Sequence, residues 1–195
     1  MFIRGYGMWR GTKRTLLAIG IILPVVVGYL AFLHLSGNFH EVSKGQVYRA
    51  AQMDGQALAR WKREYGIASV LNLRGENTGA DWYETELALT DHLDIQHIDF
   101  RMSASKELDK AQVMALIDIM KAAPKPMLIH CLGGADRTGL ASALYVAGIE
   151  KGDEEAAEWQ LSLAYGHIGI PWVSQAWAMD TTWEEMEAWL GFPNS

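Results

Sequence analysis

Three short apolar runs, spaced by segments of helix length, constrain this chain more than any other feature of its sequence. Ile67–Arg74 (IASVLNLR), Ile95–Phe100 (IQHIDF) and Met127–His130 (MLIH) have strand length, and the first is bounded by glycine on both sides. Gln52–Tyr65, Asp81–His92, Lys110–Ala122 and Gly139–Ile149 read as helices. In the third of these, Val113, Leu116, Ile117 and Met120 form one stripe, and Pro124 and Pro126 terminate it. Strands alternating with helices of this size predict right-handed crossovers and an α/β fold, with a mostly parallel central sheet flanked by helices on both faces. Ligands in such folds bind beyond the carboxyl ends of the strands. Here those ends are Arg74, Arg101–Ser103 and His130–Cys131.

Ahead of this pattern, Thr15–Leu35 (TLLAIGIILPVVVGYLAFLHL) carries no formal charge. As a helix rising about 1.5 Å per residue it matches the hydrocarbon thickness of a bilayer. It predicts an uncleaved membrane anchor, because a cleaved signal has a shorter apolar stretch and a small-x-small site, which HLSGNF offers only poorly. Arg4, Arg10, Lys13 and Arg14 crowd the amino side, whereas the carboxyl side mixes Lys44 and Arg49 with Glu41. The positive-inside rule keeps the amino terminus cytoplasmic and puts the following domain across the inner (plasma) membrane, in the periplasm of a Gram-negative cell. The expected organisation is a basic segment (1–14), an anchor helix (15–35) and a globular domain (38–195).

Charge and cysteine usage narrow the chemistry. All 23 acidic residues lie after residue 37, with 13 of the 17 basic ones, and an acidic body argues against nucleic acid as a partner. A single cysteine, Cys131, excludes an intramolecular disulfide. No two of the six histidines are three or four residues apart, the spacing that puts two ligands on one helix face, so neither a bound metal nor another cofactor is expected.

Between the third strand and its helix lies HCLGGADRTG, His130–Gly139. Small residues let such a loop curl until its N–H groups point inward as an anion-binding nest, and the helix amino terminus adds positive potential. Arg137 offers a planar fork for two oxygens of one phosphate. The same field favours the thiolate of Cys131, a nucleophile for phosphorus. Thr138 is placed to give its hydroxyl to that sulfur.

This loop resembles the C-x5-R-[ST] signature of the protein tyrosine phosphatase superfamily, most closely its compact bacterial dual-specificity branch. NFHEVSKGQVYRAAQM resembles that family's opening segment, SVLNLRGEN its strand and loop before the cleft, and EWQLSLAYGHI its late helix. The resemblance spans roughly Asn38 to Ile168. It implies Cys131 as nucleophile, Arg137 as phosphate clamp, and the amides of Leu132, Gly133, Gly134, Ala135, Asp136 and Arg137 as the oxyanion cradle. The implied reaction is hydrolysis of a phosphate monoester by two in-line displacements through a cysteinyl-phosphate, without a metal. The implied substrate is a protein phosphorylated on tyrosine or on serine and threonine. A lipid or glycan phosphate monoester at the membrane and a non-catalytic phosphate-binding module are the alternatives.

The proton donor is less defined. Many family members take it from an Asp on a loop upstream of the cysteine, but here that loop, DFRMSASKELD, has no clear equivalent, leaving Asp99, Glu107 and Asp109. Asp136, immediately before the arginine, gives the C-x4-D-R-T form of lipid-type and some bacterial phosphatases, and that likeness implies Asp136 as the acid. Its alternative is a carboxylate that braces the loop. LGGAD (Leu132–Asp136) carries no basic residue, which lowers the odds of an inositol polyphosphate. Arg74 and Arg101 read either as substrate contacts or as plain surface cations, and His130 as support for the loop. Trp172, Ala176, Met179, Trp183, Met186 and Leu190 share one helical stripe that reads as core, with Trp177 opposite, while Thr182–Glu185 also reads as a capping box that would break that helix.

Overall fold

The structure, a computed structural model, describes Gly20 and residues 24–193. The chain divides into two compact units, Met1–Ser36 and Gly37–Ser195. In the first, residues 24–35 are helical, and Val25, Val27, Phe32 and Leu35 are exposed. The described residues do not support the expected spanning helix. Among them no helix is long and apolar enough to cross a membrane, and the rest of 15–35, apart from Gly20, lies outside them.

The second unit is built on five strands: β1 (His40–Ser43), β2 (Val47–Ala50), β3 (Ser69–Asn72), β4 (Gln96–Asp99) and β5 (Met127–His130). Their order across the sheet is β1-β2-β5-β3-β4. β2, β3, β4 and β5 pair in parallel, whereas β1 pairs with β2 antiparallel. The sheet is therefore mixed, and the antiparallel hairpin is an addition to the mostly parallel expectation. Its physical reason is the short turn around Gly45, at φ 66, which reverses the chain within three residues and leaves no room for a crossover.

Alternation along each strand sorts the core into two layers. Val47, Leu71, Met127 and Ile129 pack with α3 (Lys110–Ala122), α4 (Asp136–Tyr145) and α6 (Trp177–Leu190). Tyr48, Ala50, Val70 and Leu128 point the other way, against Leu58 and Trp61 of α1 (Gly55–Tyr65), with Leu89 of α2 (Asp81–His92) beside them. Fully buried side chains such as Leu116, Met120, Leu140 and Leu144 each contribute about 1.5–3 kcal/mol. Asp54 caps α1 by accepting from the Ala57 N–H, and Gly66, at φ 72, ends it. A short α5 (Glu154–Glu158) follows the π-helical extension of α4 over Val146–Glu150.

α6 corrects the expected tryptophan stripe at its start. Met179, Trp183, Met186 and Leu190 are buried, but the helix begins at Trp177, and Trp172 precedes it at φ 58 with 97% of its surface exposed. Thr182 does not break the helix. Its hydroxyl donates to the Ala178 carbonyl one turn back and accepts the N–H of Leu108.

Candidate active site

The switch in strand order places β5 between β2 and β3, with Ala50, His130 and Asn72 in register at their carboxyl ends. The loop that leaves β5 therefore emerges over the middle of the sheet. Cys131 is its first residue and is buried; Arg137 and Thr138 lie in the first turn of α4, with Thr138 fully buried.

The carbonyls from Leu132 to Ala135 are all held by donors outside the curve of this loop. The Leu132 carbonyl accepts the N–H of Gln52, and the Gly133 carbonyl accepts Nδ2 of Asn38 at 3.0 Å. The carbonyls of Gly134 and Ala135 both accept Nη2 of Arg49, at 2.9 and 3.3 Å. A peptide unit that turns its oxygen out turns its N–H in. Among the described residues, none of the amides from Leu132 to Arg137 donates to a protein acceptor. The result is a ring of inward donors at the amino end of a helix, which is an anion-binding geometry.

Arg49 is the piece the sequence did not disclose. Counted above as a flanking charge, it has no exposed surface and stands in the middle of β2. Its Nη1 donates to both the backbone and the side-chain oxygens of Gln160, and its guanidinium lies 3.9 Å from the centre of the Tyr165 ring. Burial lowers its pKa to about 10, which leaves it a cation at neutral pH. Asn38, at φ 47, holds the opposite side of the loop and ties it to the Tyr165 carbonyl at 2.9 Å.

Gly134 has φ 67, and a Cβ there would lie 2.6 Å from the backbone at Ala50 and Ala51. Gly133 faces open space. Gly134→Ala is expected to destabilise the protein by about 2 kcal/mol or more and to depress turnover, with Gly133→Ala close to neutral. Urea unfolding of the two variants checks this, and equal effects would contradict the geometry.

Arg137 faces a cleft of about 550 Å³ whose walls include Arg74, Arg101, Lys106, Glu107 and Gln175. Its Nη1 lies 3.4 Å from the Met102 carbonyl, while Nε, like the Thr138 hydroxyl, is buried with no hydrogen-bond partner among the described residues. An oxyanion in the ring of amides would meet such donors. Cys131 lies within electrostatic reach of Arg49 and Arg74. Arg74 is held in place by Gln52, to which it donates at 2.9 Å, and by stacking on Trp82. Arg101 stands exposed on the cleft wall and donates to the Glu76 carbonyl.

A buried network supports the base of the loop. Glu86 of α2 accepts from His130 at 3.1 Å, from His97 at 2.9 Å and from Gln52 at 2.7 Å. Burial alone would raise its pKa, but the hydrogen bonds from His130 and His97 prevail and hold it well below the usual carboxylate range. His130 thus fixes the strand end from beneath.

The candidate acids separate by environment. Asp109 caps α3, with Gln112 completing a reciprocal capping box, and Asp99 is engaged by Asn72 at 2.8 Å and by the Tyr83 hydroxyl at 2.5 Å. Both are committed to structure. Glu107 is exposed on the cleft wall. Asp136 is the first residue of α4, partly exposed, with Oδ1 2.8 Å from Nδ1 of His167.

Fold and loop together define a cysteine-dependent phosphatase of the dual-specificity type. The family described as the Swiss Army Knife protein, DSP-PTPase phosphatase domain (PTP-SAK), matches residues 39–177, and the chain belongs to it. Among solved structures it is similar to P. aeruginosa TpbA, at 22% identity over 77% of this chain and 85% of that one, with a TM-score of 0.62. A cysteine-to-serine form of TpbA in complex with pTyr gives 20% identity, 82% and 93% coverage and a TM-score of 0.63. The core catalytic domain of the S. cerevisiae PP-IP phosphatase SIW14, in complex with citrate, gives 17% identity, 80% and 93% coverage and a TM-score of 0.59. At these identities the likeness shows the fold. No curated protein matches the sequence.

Proposed function

We propose that the chain hydrolyses phosphate monoesters on proteins, at tyrosine or at serine and threonine, through a phosphocysteine on Cys131. The observation that carries this reading is the run of peptides whose carbonyls, Leu132 to Ala135, are held by Gln52, Asn38 and Arg49, which turns the amides of Gly133 to Asp136 inward between a cysteine and an arginine. Cys131 Sγ attacks phosphorus, and the amides and Arg137 stabilise the charge on the equatorial oxygens. Asp136 delivers a proton to the leaving oxygen. Water then attacks the phosphocysteine, Asp136 takes a proton from it, and phosphate departs.

Asp136→Asn is expected to slow hydrolysis of an alkyl phosphate by about 10²–10⁴ and that of p-nitrophenyl phosphate much less, since the better leaving group needs less protonation. If Glu107→Gln gives that pattern and Asp136→Asn does not, the acid is Glu107.

A membrane-associated phosphate ester is the second reading. It is supported by the apolar run Thr15–Leu35 and by the exposed, uncharged stretch that includes Ile168, Ile170, Trp172 and Val173, which follows His167 beside Asp136. Anchoring through residues 15–35, with the catalytic unit on the extracytoplasmic side, belongs to the same proposal. Phosphate release from phosphopeptides compared with that from phosphatidyl and polyprenyl phosphates orders the two readings. A fusion reporter after Ser195 tests the orientation.

A further inference from the structure

Asp136 does not stand alone. His167 presents Nδ1 to it at 2.8 Å and Nε2 to Oδ2 of Asp180, in α6, at 2.9 Å. The His167 side chain is 2% exposed. Ionised carboxylates only accept, so a ring that bonds both of them must donate from both nitrogens, and imidazolium is the form that does. Burial by itself would lower the His167 pKa, but hydrogen bonds to Asp136 and Asp180, and their charges, prevail and raise it to about 9. Asp136 from α4 and Asp180 from α6 are the charged groups that face it, and its own loop, residues 166–176, carries none. Gly169 makes the arrangement possible, since a Cβ there would overlap the Asp180 carboxylate.

We infer that His167 and Asp180 are positioning residues for this reaction, with His167 fixing Asp136 at the loop and storing the proton that Asp136 delivers and recovers. The inference rests on the assignment of Asp136 as the acid. In the first displacement the Sγ–P bond forms and the P–O ester bond breaks. The Nδ1 proton of His167 passes to Asp136, and Asp136 passes a proton to the leaving oxygen. Neutral His167 keeps its Nε2 proton, donated to Asp180. In the second displacement the water oxygen bonds to phosphorus, the Sγ–P bond breaks, and the water proton returns through Asp136 to Nδ1.

The test is the pH profile of kcat with an alkyl phosphate beside p-nitrophenyl phosphate. Wild type is expected to lose alkyl turnover as pH rises through about 9, when the store empties. Asp180→Asn, which removes one of the two charges holding the proton, is expected to move that limb down by about one pH unit or more. His167→Gln is expected to lose at least about tenfold more turnover on the alkyl substrate than on p-nitrophenyl phosphate, whereas a merely structural defect slows both alike. Gly169→Ala, which displaces Asp180 without changing any charge, should act in the same direction as Asp180→Asn. An alkaline limb unmoved in folded Asp180→Asn, or equal losses on the two substrates, overturns the inference. Should His167→Gln fail to fold, NMR titration of His167 in the wild-type protein decides, and an ordinary titration near 6.5 is the contrary result. If Asp136→Asn spares alkyl turnover, the assignment of the acid has failed. If Asp136→Asn slows it and Asp180→Asn leaves the limb in place, only the relay has failed.

The same cluster has a signature in stability. Because the folded pKa of His167 is raised, its contribution is fully present below about 6.5 and is lost as pH rises through about 9. The gap in unfolding midpoint between wild type and His167→Gln should close across that window.

Discussion

Arg49→Met is expected to remove most of the turnover and a large share of the stability. The side chain is unbranched and apolar and falls short of the guanidinium, so it leaves the carbonyls of Gly134 and Gln160 without the donors they have now and leaves that of Ala135 with the Gly139 N–H alone. Each buried acceptor left unsatisfied costs about 1–3 kcal/mol. Burying a guanidinium also has a cost, seen in the pKa drawn down to about 10, and methionine relieves it. The net loss should be about 2–4 kcal/mol, a large part of a typical domain's 5–15 kcal/mol. Turnover should fall further than stability alone requires, by about 10² or more, because loop peptides free to rotate no longer hold their N–H groups on the transferring phosphoryl. Arg49→Lys should rescue little, since one ammonium cannot reach the carbonyls of Gly134, Ala135 and Gln160 from a single position. Urea unfolding and kcat/KM measured on the same preparations check this. A folded Arg49→Met protein with near-normal turnover would show that the loop holds its shape without the outside grip.

Cys131→Ser carries the second large effect. Turnover should drop by about 10⁴ or more, as expected when a covalent nucleophile is removed. Binding of inorganic phosphate should stay within a few-fold of wild type, because the amides and Arg137 are untouched. Calorimetry on the serine variant separates these quantities. If catalysis and phosphate binding disappear together while the fold persists, Cys131 shapes the site and does not perform the chemistry.

How much of this was legible in the sequence follows from how local each signal is. β3, β4, β5 and helices α1 to α4 show their periodicity within single segments, and their observed ends differ from the expected ones by only a few residues. The loop from Cys131 to Thr138 was equally local: eight consecutive residues carry the whole spacing. β1 and β2 were not visible, since HEVS of the first carries a single apolar residue and an arginine interrupts the apolar pattern of the second. Arg49 reads as a surface cation because its partners lie 85 and 111 residues away, and they are carbonyls, which every residue type supplies. His167 and Asp180 depend in the same way on a contact with α4 that no local pattern encodes.

The segments that resembled the phosphatase family outside the loop turn out to be those that hold it. NFHEVSKGQVYRAAQM contains Asn38, Arg49 and Gln52, whose donors take the loop carbonyls, and EWQLSLAYGHI contains Gln160, Tyr165 and His167. Likeness pointed to these stretches without saying what they do, and the hydrogen bonds supply the reason. Gly75 follows the same logic in SVLNLRGEN. It has φ 69, and a Cβ there would lie 2.5 Å from Cβ of Arg101, so only glycine lets the β3 turn approach the cleft wall so closely.

Acid quenching of the enzyme during turnover of a phosphate ester labelled on phosphorus, followed by mapping of the labelled peptide, addresses the chemistry at its centre. Label is expected on the peptide holding Cys131, bonded to sulfur, and unlabelled substrate should chase it away no more slowly than steady-state turnover. Full turnover with no label on Cys131, or label carried by another residue, would contradict a reaction that passes through this sulfur.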